Sequence, residues 1–161
     1  MLLSERRRLL FALAALPVAA CGFTPAYAPG GAGQDLRAQV LLRDPVTSAE
    51  FDFVAAMETR LGRPASPRFG LDYAIATSER GAAQVAGLGD TRITLFGEVG
   101  YSLNDLATGD VLTQGRLRNF TNYSTTDTQL ATLRAQEDAE ARLMRLLADQ
   151  VATQLIAALT E

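Results

Sequence analysis

The sequence is poor in the residue types that most enzymes use. Its 161 residues include no histidine, no lysine, no tryptophan and one cysteine, Cys21. These absences exclude an intramolecular disulfide, a Cys/His zinc site, a Ser-His-Asp triad, a Cys-His dyad and a lysine Schiff base. Carboxylates, hydroxyls and arginines remain for chemistry. We therefore expect a protein that works by binding, is not an enzyme, and needs no metal and no dissociable cofactor.

The amino-terminal segment is typical of an export signal. Residues 6–8 are three arginines, and residues 9–20 are apolar apart from a proline. Twelve helical residues span about 18 Å, too little for a hydrocarbon core of about 30 Å. Residues 18–21, Val-Ala-Ala-Cys, resemble the lipobox of bacterial lipoproteins. We therefore predict a lipoprotein signal peptide over residues 1–20 and lipidation of Cys21; an ordinary secretory cleavage after residue 20 or 28 is the alternative.

Charge and lipidation indicate where the mature protein acts. Removing residues 1–20 takes three arginines and one glutamate from totals of 15 basic and 18 acidic residues, which leaves 12 and 17. A net charge of -5 disfavours nucleic acid as a partner. Acyl chains such as palmitate on Cys21 would hold the protein on a membrane. Because Gly22, and not the aspartate that signals inner-membrane retention, follows Cys21, we expect the periplasmic side of the outer membrane.

Periodicity predicts one α+β domain over residues 35–161, preceded by a lipidated flexible tether over residues 21–34. Alternating or helical spacing of apolar residues marks six elements in the order β-α-β-β-β-α. The predicted strands cover residues 37–43, 71–76, 92–104 and 111–123, and the predicted helices cover residues 47–61 and 129–159. Both helices are amphipathic. The expected fold is therefore a four-stranded sheet with two helices packed on one face.

The other face of this sheet has no helix to cover it. In the clearest strand, Arg92, Thr94, Glu98 and Ser102 share that face. Arg116 and Arg118 share one side of the next strand, and Arg92 is expected on the same side. Clustered arginines bind phosphates or acidic partners, so these three residues are the candidate anion-binding patch; a solvated strand face is the alternative.

The last strand alternates poorly. Leu112 and Phe120 have the parity opposite to that of Val111 and Leu117. Gly115 lies between them and is either a bulge or a point of close packing. A bulge near Gly115 would bring all four apolar residues to one face, and this is the expectation. The remaining candidates, carboxylates at predicted turns, show no pairing that indicates catalysis or a calcium loop.

Several of these features together resemble the lipopolysaccharide-assembly lipoprotein family LptE. They are the start Cys-Gly-Phe-Thr-Pro-Ala-Tyr over residues 21–27, the element order, the hairpin around Thr108-Gly109, the segment Asn122-Tyr123-Ser124 and the long last helix. The resemblance implies a protein that plugs the outer-membrane β-barrel LptD and assists lipopolysaccharide assembly at the cell surface. An accessory lipoprotein of an ABC-type lipid-export system is the alternative.

Overall fold

The computed structural model describes residues 31–85, 89–125 and 128–160. The signal peptide, Cys21 and residues 22–30 of the predicted tether lie outside these ranges. The elements in chain order are α1 (Ala32–Asp35), β1 (Val40–Leu42), α2 (Ser48–Leu61), β2 (Phe69–Val85), β3 (Gly89–Asp105), β4 (Val111–Ser124) and α3 (Gln129–Ala158). The predicted α+β order is confirmed, with the short helix α1 added at its start.

The four strands form one sheet in the order β1-β2-β3-β4. The strands β1 and β2 are parallel and are joined through α2, whereas β2, β3 and β4 form an antiparallel meander. Odd-numbered residues of β3, such as Leu95, Val99 and Leu103, are buried under the helices. Even-numbered residues therefore point to the opposite surface, because side chains alternate along a strand.

The helix α2 begins where the sequence predicts it. Thr47 is the N-cap, and its hydroxyl accepts a hydrogen bond from the Glu50 N–H at 3.2 Å. The Glu50 carboxylate accepts from the Val46 N–H at 2.7 Å and pairs with Arg43 at 2.7 Å. These contacts order the loop before the helix as well as its first turn. At the other end Gly62 has a φ of 80°, a conformation that ends the helix without strain on a side chain.

The helix α3 lies along β3 and β4. Leu143 and Leu147 are fully buried over Gly97 of β3. A Cβ atom at Gly97 would lie 2.9 Å from the Leu143 Cδ2 atom and 3.1 Å from the Leu147 Cδ1 atom. A glycine at this position therefore allows the helix to approach the sheet closely.

The prediction of a bulge at Gly115 is wrong. The pairing of β3 with β4 is regular from Arg92 and Ser124 to Leu103 and Thr113, and its register shifts only beyond Leu103. Gly115 is instead a point of close packing, because it lies opposite Tyr101 and a Cβ atom there would be 2.7 Å from the tyrosine oxygen. The ring occupies the space that a side chain would need.

Several element boundaries also differ from the expectation. The first strand, predicted over residues 37–43, spans only Val40–Leu42. The segment 81–90, expected as a loop, is largely strand, since β2 continues to Val85 and β3 starts at Gly89. The helical turn Ala32–Asp35 lies almost entirely within the segment expected as a tether, and it is followed by the fully buried Leu36. The packed domain thus includes residues close to the expected boundary at residue 35.

Candidate functional site

The surface of the sheet opposite the helices, called here the open face, is formed by even-numbered residues of β2, β3 and β4. Among the residues whose side chains the structure describes, it carries four arginines and two carboxylates, together with small and polar side chains. The charged members are Asp72, Arg80, Arg92, Glu98, Arg116 and Arg118. The open face is therefore net positive, although the whole chain is net negative. Such a local excess attracts anions.

An arginine pair shares one carboxylate at the centre of this face. The register places Glu98 opposite Arg118, and Arg116 follows two residues along β4. The Arg116 Nε atom lies 3.2 Å from Glu98, and the Arg118 Nε atom donates to the other oxygen of the same carboxylate. Both arginine side chains remain at least two-thirds exposed. One carboxylate cannot neutralise two guanidinium groups, so this cluster retains one positive charge for a ligand.

Two phenylalanines lie beside the arginine pair. Phe96 and Phe120 face each other across β3 and β4, with ring centroids 6.0 Å apart. Their exposed fractions are 39% and 55%. The guanidinium of Arg80 lies 5.9 Å from the Phe96 ring, and a depression of about 410 Å³ runs from Arg80 to Arg118. The open face therefore presents apolar rings and cations together, a combination suited to an amphipathic anion or a protein partner.

The structure brings together two of the three predicted patch residues. Arg92 is on the open face, but it pairs with Ser124 near the far end of the hairpin. Six residue pairs, or about 20 Å, separate it from the level of Arg118. The space between is bridged in part by a hydrogen bond of 2.6 Å between Thr94 and Asn122. Arg92 can therefore contact the same ligand as Arg118 only if that ligand is extended.

A second polar cluster, which the sequence did not indicate, lies on the helix side of the sheet. The Glu79 carboxylate accepts hydrogen bonds from the Tyr123 hydroxyl at 3.2 Å and from the Gln136 amide at 2.9 Å. Burial, with the charge of Glu79 as a smaller cause, raises the pKa of Tyr123. Burial also raises the pKa of Glu140, and the nearby carboxylates Asp52 and Glu79 add to this effect. The bonds of Glu79 link β2, β4 and α3, which is a structural role.

The described residues offer two further observations on function. Among residues 31–85, 89–125 and 128–160, no group of three or more potential ligand side chains could hold a metal ion. None of the helices in these ranges is long and apolar enough to cross a membrane. Cys21 lies outside the described residues, so its lipidation stays a prediction.

The fold has counterparts among solved structures, although no protein-family model and no curated protein matches the chain. A candidate lipoprotein from Caulobacter crescentus matches with a TM-score of 0.65 at 19% identity, over 78% of this chain and 93% of that one. Rare lipoprotein B from Shewanella oneidensis matches with a TM-score of 0.56 at 12% identity, over 75% and 93%. A minor lipoprotein from Acinetobacter baumannii matches with a TM-score of 0.52 at 14% identity, over 74% and 89%. The chain thus shares its α+β fold with proteins described as lipoproteins.

Proposed function

We propose that the protein is an outer-membrane lipoprotein, anchored on the periplasmic side through Cys21, that sits in the lumen of the β-barrel LptD and assists lipopolysaccharide assembly at the cell surface. The observation that carries this proposal is the open face. It is a large sheet surface without a covering helix among the described residues, and it combines excess positive charge with two exposed phenylalanine rings.

The shape and polarity of the domain suit a plug. The lumen of a large outer-membrane barrel is polar, so a protein seated there needs a rigid core and polar outer surfaces. The buried seam between the sheet and the helices α2 and α3 supplies the rigid core. The open face supplies a polar surface on the opposite side. The lipobox-like residues 18–21 and the shared fold with proteins described as lipoproteins support the anchor.

The open face also suits lipopolysaccharide, which carries phosphate groups beside acyl chains. The fork of a guanidinium binds a phosphate through two parallel hydrogen bonds, and Arg116 and Arg118 have exposed side chains for this purpose. Phe96 and Phe120 offer apolar contact next to them. In this function the protein acts by binding and positioning, without catalysis and without a cofactor other than the covalent lipid.

Co-purification tests the barrel partner. The full chain, with a carboxy-terminal tag, is extracted from outer membranes in mild detergent, and the eluate is resolved by size and identified by mass spectrometry. We expect LptD in a 1:1 complex with the lipoprotein. An eluate that contains the lipoprotein and no β-barrel would refute the proposal.

A Cys21→Ser variant tests the anchor in the same cells. We expect the variant to fold normally, since Cys21 precedes the packed domain, and to move from the membrane fraction to the soluble periplasm in cells depleted of the barrel. The depletion matters because barrel binding would itself retain the variant. Membrane retention after depletion would contradict lipidation as the anchor. Fractionation of the unaltered protein with the inner membrane would instead favour an accessory role in ABC-type lipid export.

A further inference from the structure

The strand β4 forms an edge of the sheet. It pairs with β3 on one side, and no strand among the described residues pairs with its other side. Residues of an antiparallel strand alternate in the side to which they direct both N–H and C=O. Two contacts show that the even-numbered residues of β4 direct their backbone N–H and C=O groups away from β3. The Phe120 N–H donates to the Asn119 side chain at 2.8 Å, and the Asn122 carbonyl accepts from Arg142 at 3.2 Å.

These contacts cover only one end of the edge. The residues with outward backbone groups at the other end are Gln114, Arg116 and Arg118. Among the described residues, none forms a hydrogen bond with those outward groups. We call residues 114–118 the free edge. Since an unpaired strand edge is a template for a further strand, the free edge can accept an extended segment without any rearrangement of the sheet.

Charge selects the occupant of the free edge. A strand added there places its side chains about 5 Å from those of Arg116 and Arg118 on the open face. These arginines share Glu98 as their carboxylate partner, so an acidic side chain on the added strand is attracted. A second copy of the chain would bring its own two arginines to the same place, which is repulsive. Residues 22–30 contain two prolines and no acidic residue, so this segment does not match either.

We propose that the free edge of β4 is a strand-addition site for an extended segment of another protein that carries acidic side chains at alternate positions. Backbone hydrogen bonds to Gln114, Arg116 and Arg118 would supply affinity, and the arginine pair would set the preference for acidic residues. The inference rests on the proposed function, because it specifies how the partner protein is held.

Amide hydrogen exchange distinguishes strand addition from binding to side chains alone. The full chain in detergent is observed by NMR with and without a synthetic peptide of about nine alternating glutamates and threonines, a typical strand length. Without peptide, the inward amides of Gly115 and Leu117 should exchange slowly, and the outward amides of Gln114, Arg116 and Arg118 should exchange fast. Saturating peptide should slow the outward amides by about tenfold or more. Absence of binding, or binding that leaves this alternation unchanged, would overturn the proposal.

A proline substitution tests the outward N–H directly, and a threonine substitution at the same position is its matched control. Gln114→Pro removes an outward N–H and leaves the ladder with β3 intact, whereas Gln114→Thr keeps the N–H. We expect peptide affinity to fall about tenfold or more in the proline variant and to stay near the original value in the threonine variant. A peptide with N-methyl groups on one edge tests the same hydrogen bonds in the unaltered protein, in case the proline variant fails to fold. Equal binding of the methylated and unmethylated peptides would contradict strand addition.

Two further arms separate the possible failures. A peptide in which lysine replaces every glutamate should bind much more weakly than the glutamate peptide. Equal binding of the two peptides would show that the arginine pair does not select acidic side chains. Self-association that protects the same outward amides without peptide would identify a second copy as the occupant and overturn the proposal. If LptD is absent from the co-purified material of the unaltered protein, the proposed function fails. If LptD is present and is retained equally by Gln114→Pro and Gln114→Thr, the strand-addition site fails and the proposed function stands.

Discussion

Substitution of Gly97 by alanine should destabilise the domain because of the close approach of α3. The added Cβ atom would lie 2.9 Å from Leu143 and 3.1 Å from Leu147, both of them fully buried. Overpacking of this kind costs about 1–3 kcal/mol. Alanine recovers about 0.5–1 kcal/mol of the entropy that glycine loses in a strand. We therefore expect a net loss of about 0–2.5 kcal/mol in the free energy of unfolding.

Gly100 provides a matched control on the same strand. It lies on the open face, and a Cβ atom there would have no other atom within 4 Å. Gly100→Ala should therefore stabilise the protein by about 0.5–1 kcal/mol. Urea denaturation followed by circular dichroism measures both variants. Equal effects of the two substitutions would refute the reasoning, since only the contact with α3 distinguishes them.

A double-mutant cycle with Leu143 tests the contact itself. Leu143→Ala alone should cost about 2–5 kcal/mol through the cavity that it leaves. The double variant Gly97→Ala/Leu143→Ala should lose less stability than the sum of the losses in the two single variants. The reason is that alanine at position 143 removes the overlap with the Cβ atom added at position 97. Strict additivity would mean that the sheet and the helix adjust to the added methyl group by moving apart elsewhere.

The cap of α2, the Tyr101 ring and the shared carboxylate of the arginine pair can each be tested by a single substitution. The Val46 N–H, with the Arg43 guanidinium as a smaller cause, lowers the pKa of Glu50, so its contribution to stability is present at neutral pH and is lost as the pH falls through the folded-state pKa. Glu50→Gln should remove this acid dependence of the urea midpoint. Gly115→Val should displace the Tyr101 ring and cost about 1–3 kcal/mol, visible in near-ultraviolet circular dichroism. Glu98→Gln should change stability by less than about 1 kcal/mol and should strengthen binding to phosphatidylglycerol vesicles in sedimentation assays, with the gain lost at high salt.

The sequence predicted the elements with strong periodicity. Residues 129–159 carry one apolar stripe, and the helix spans Gln129–Ala158. The helix predicted over residues 47–61 is observed as Ser48–Leu61, with Thr47 as its N-cap. These features depend on neighbours within a few residues, and for that reason they can be inferred from the chain alone.

The open face was predicted less completely. A bulge was expected because apolar residues in a strand usually face the core, yet Phe120 is on the open face and contacts Phe96. Both residues have even numbers, and the hairpin turn around Thr108-Gly109 fixes the register that places them opposite each other. The shared even parity of the two phenylalanines across this hairpin was therefore the signal in the sequence that could have placed Phe120 on the open face. The extension of β2 through residues 81–85 depends on hairpin pairing with β3, and the register of that pairing shifts on both sides of Ala83. These shifts break the regular alternation by which a strand is predicted from sequence.

Neighbouring residues of β3 allow tests of stability and tests of binding to be made separately. Gly97 faces the helices, so substitutions there change the free energy of unfolding. Glu98 faces the other way, with its partners Arg116 and Arg118 largely exposed, so substitutions there alter the charge of the open face with little effect on the core. Loss of barrel or lipid binding in an open-face variant of unchanged stability therefore reports on recognition. Loss of binding in a core variant reports only on the amount of folded protein.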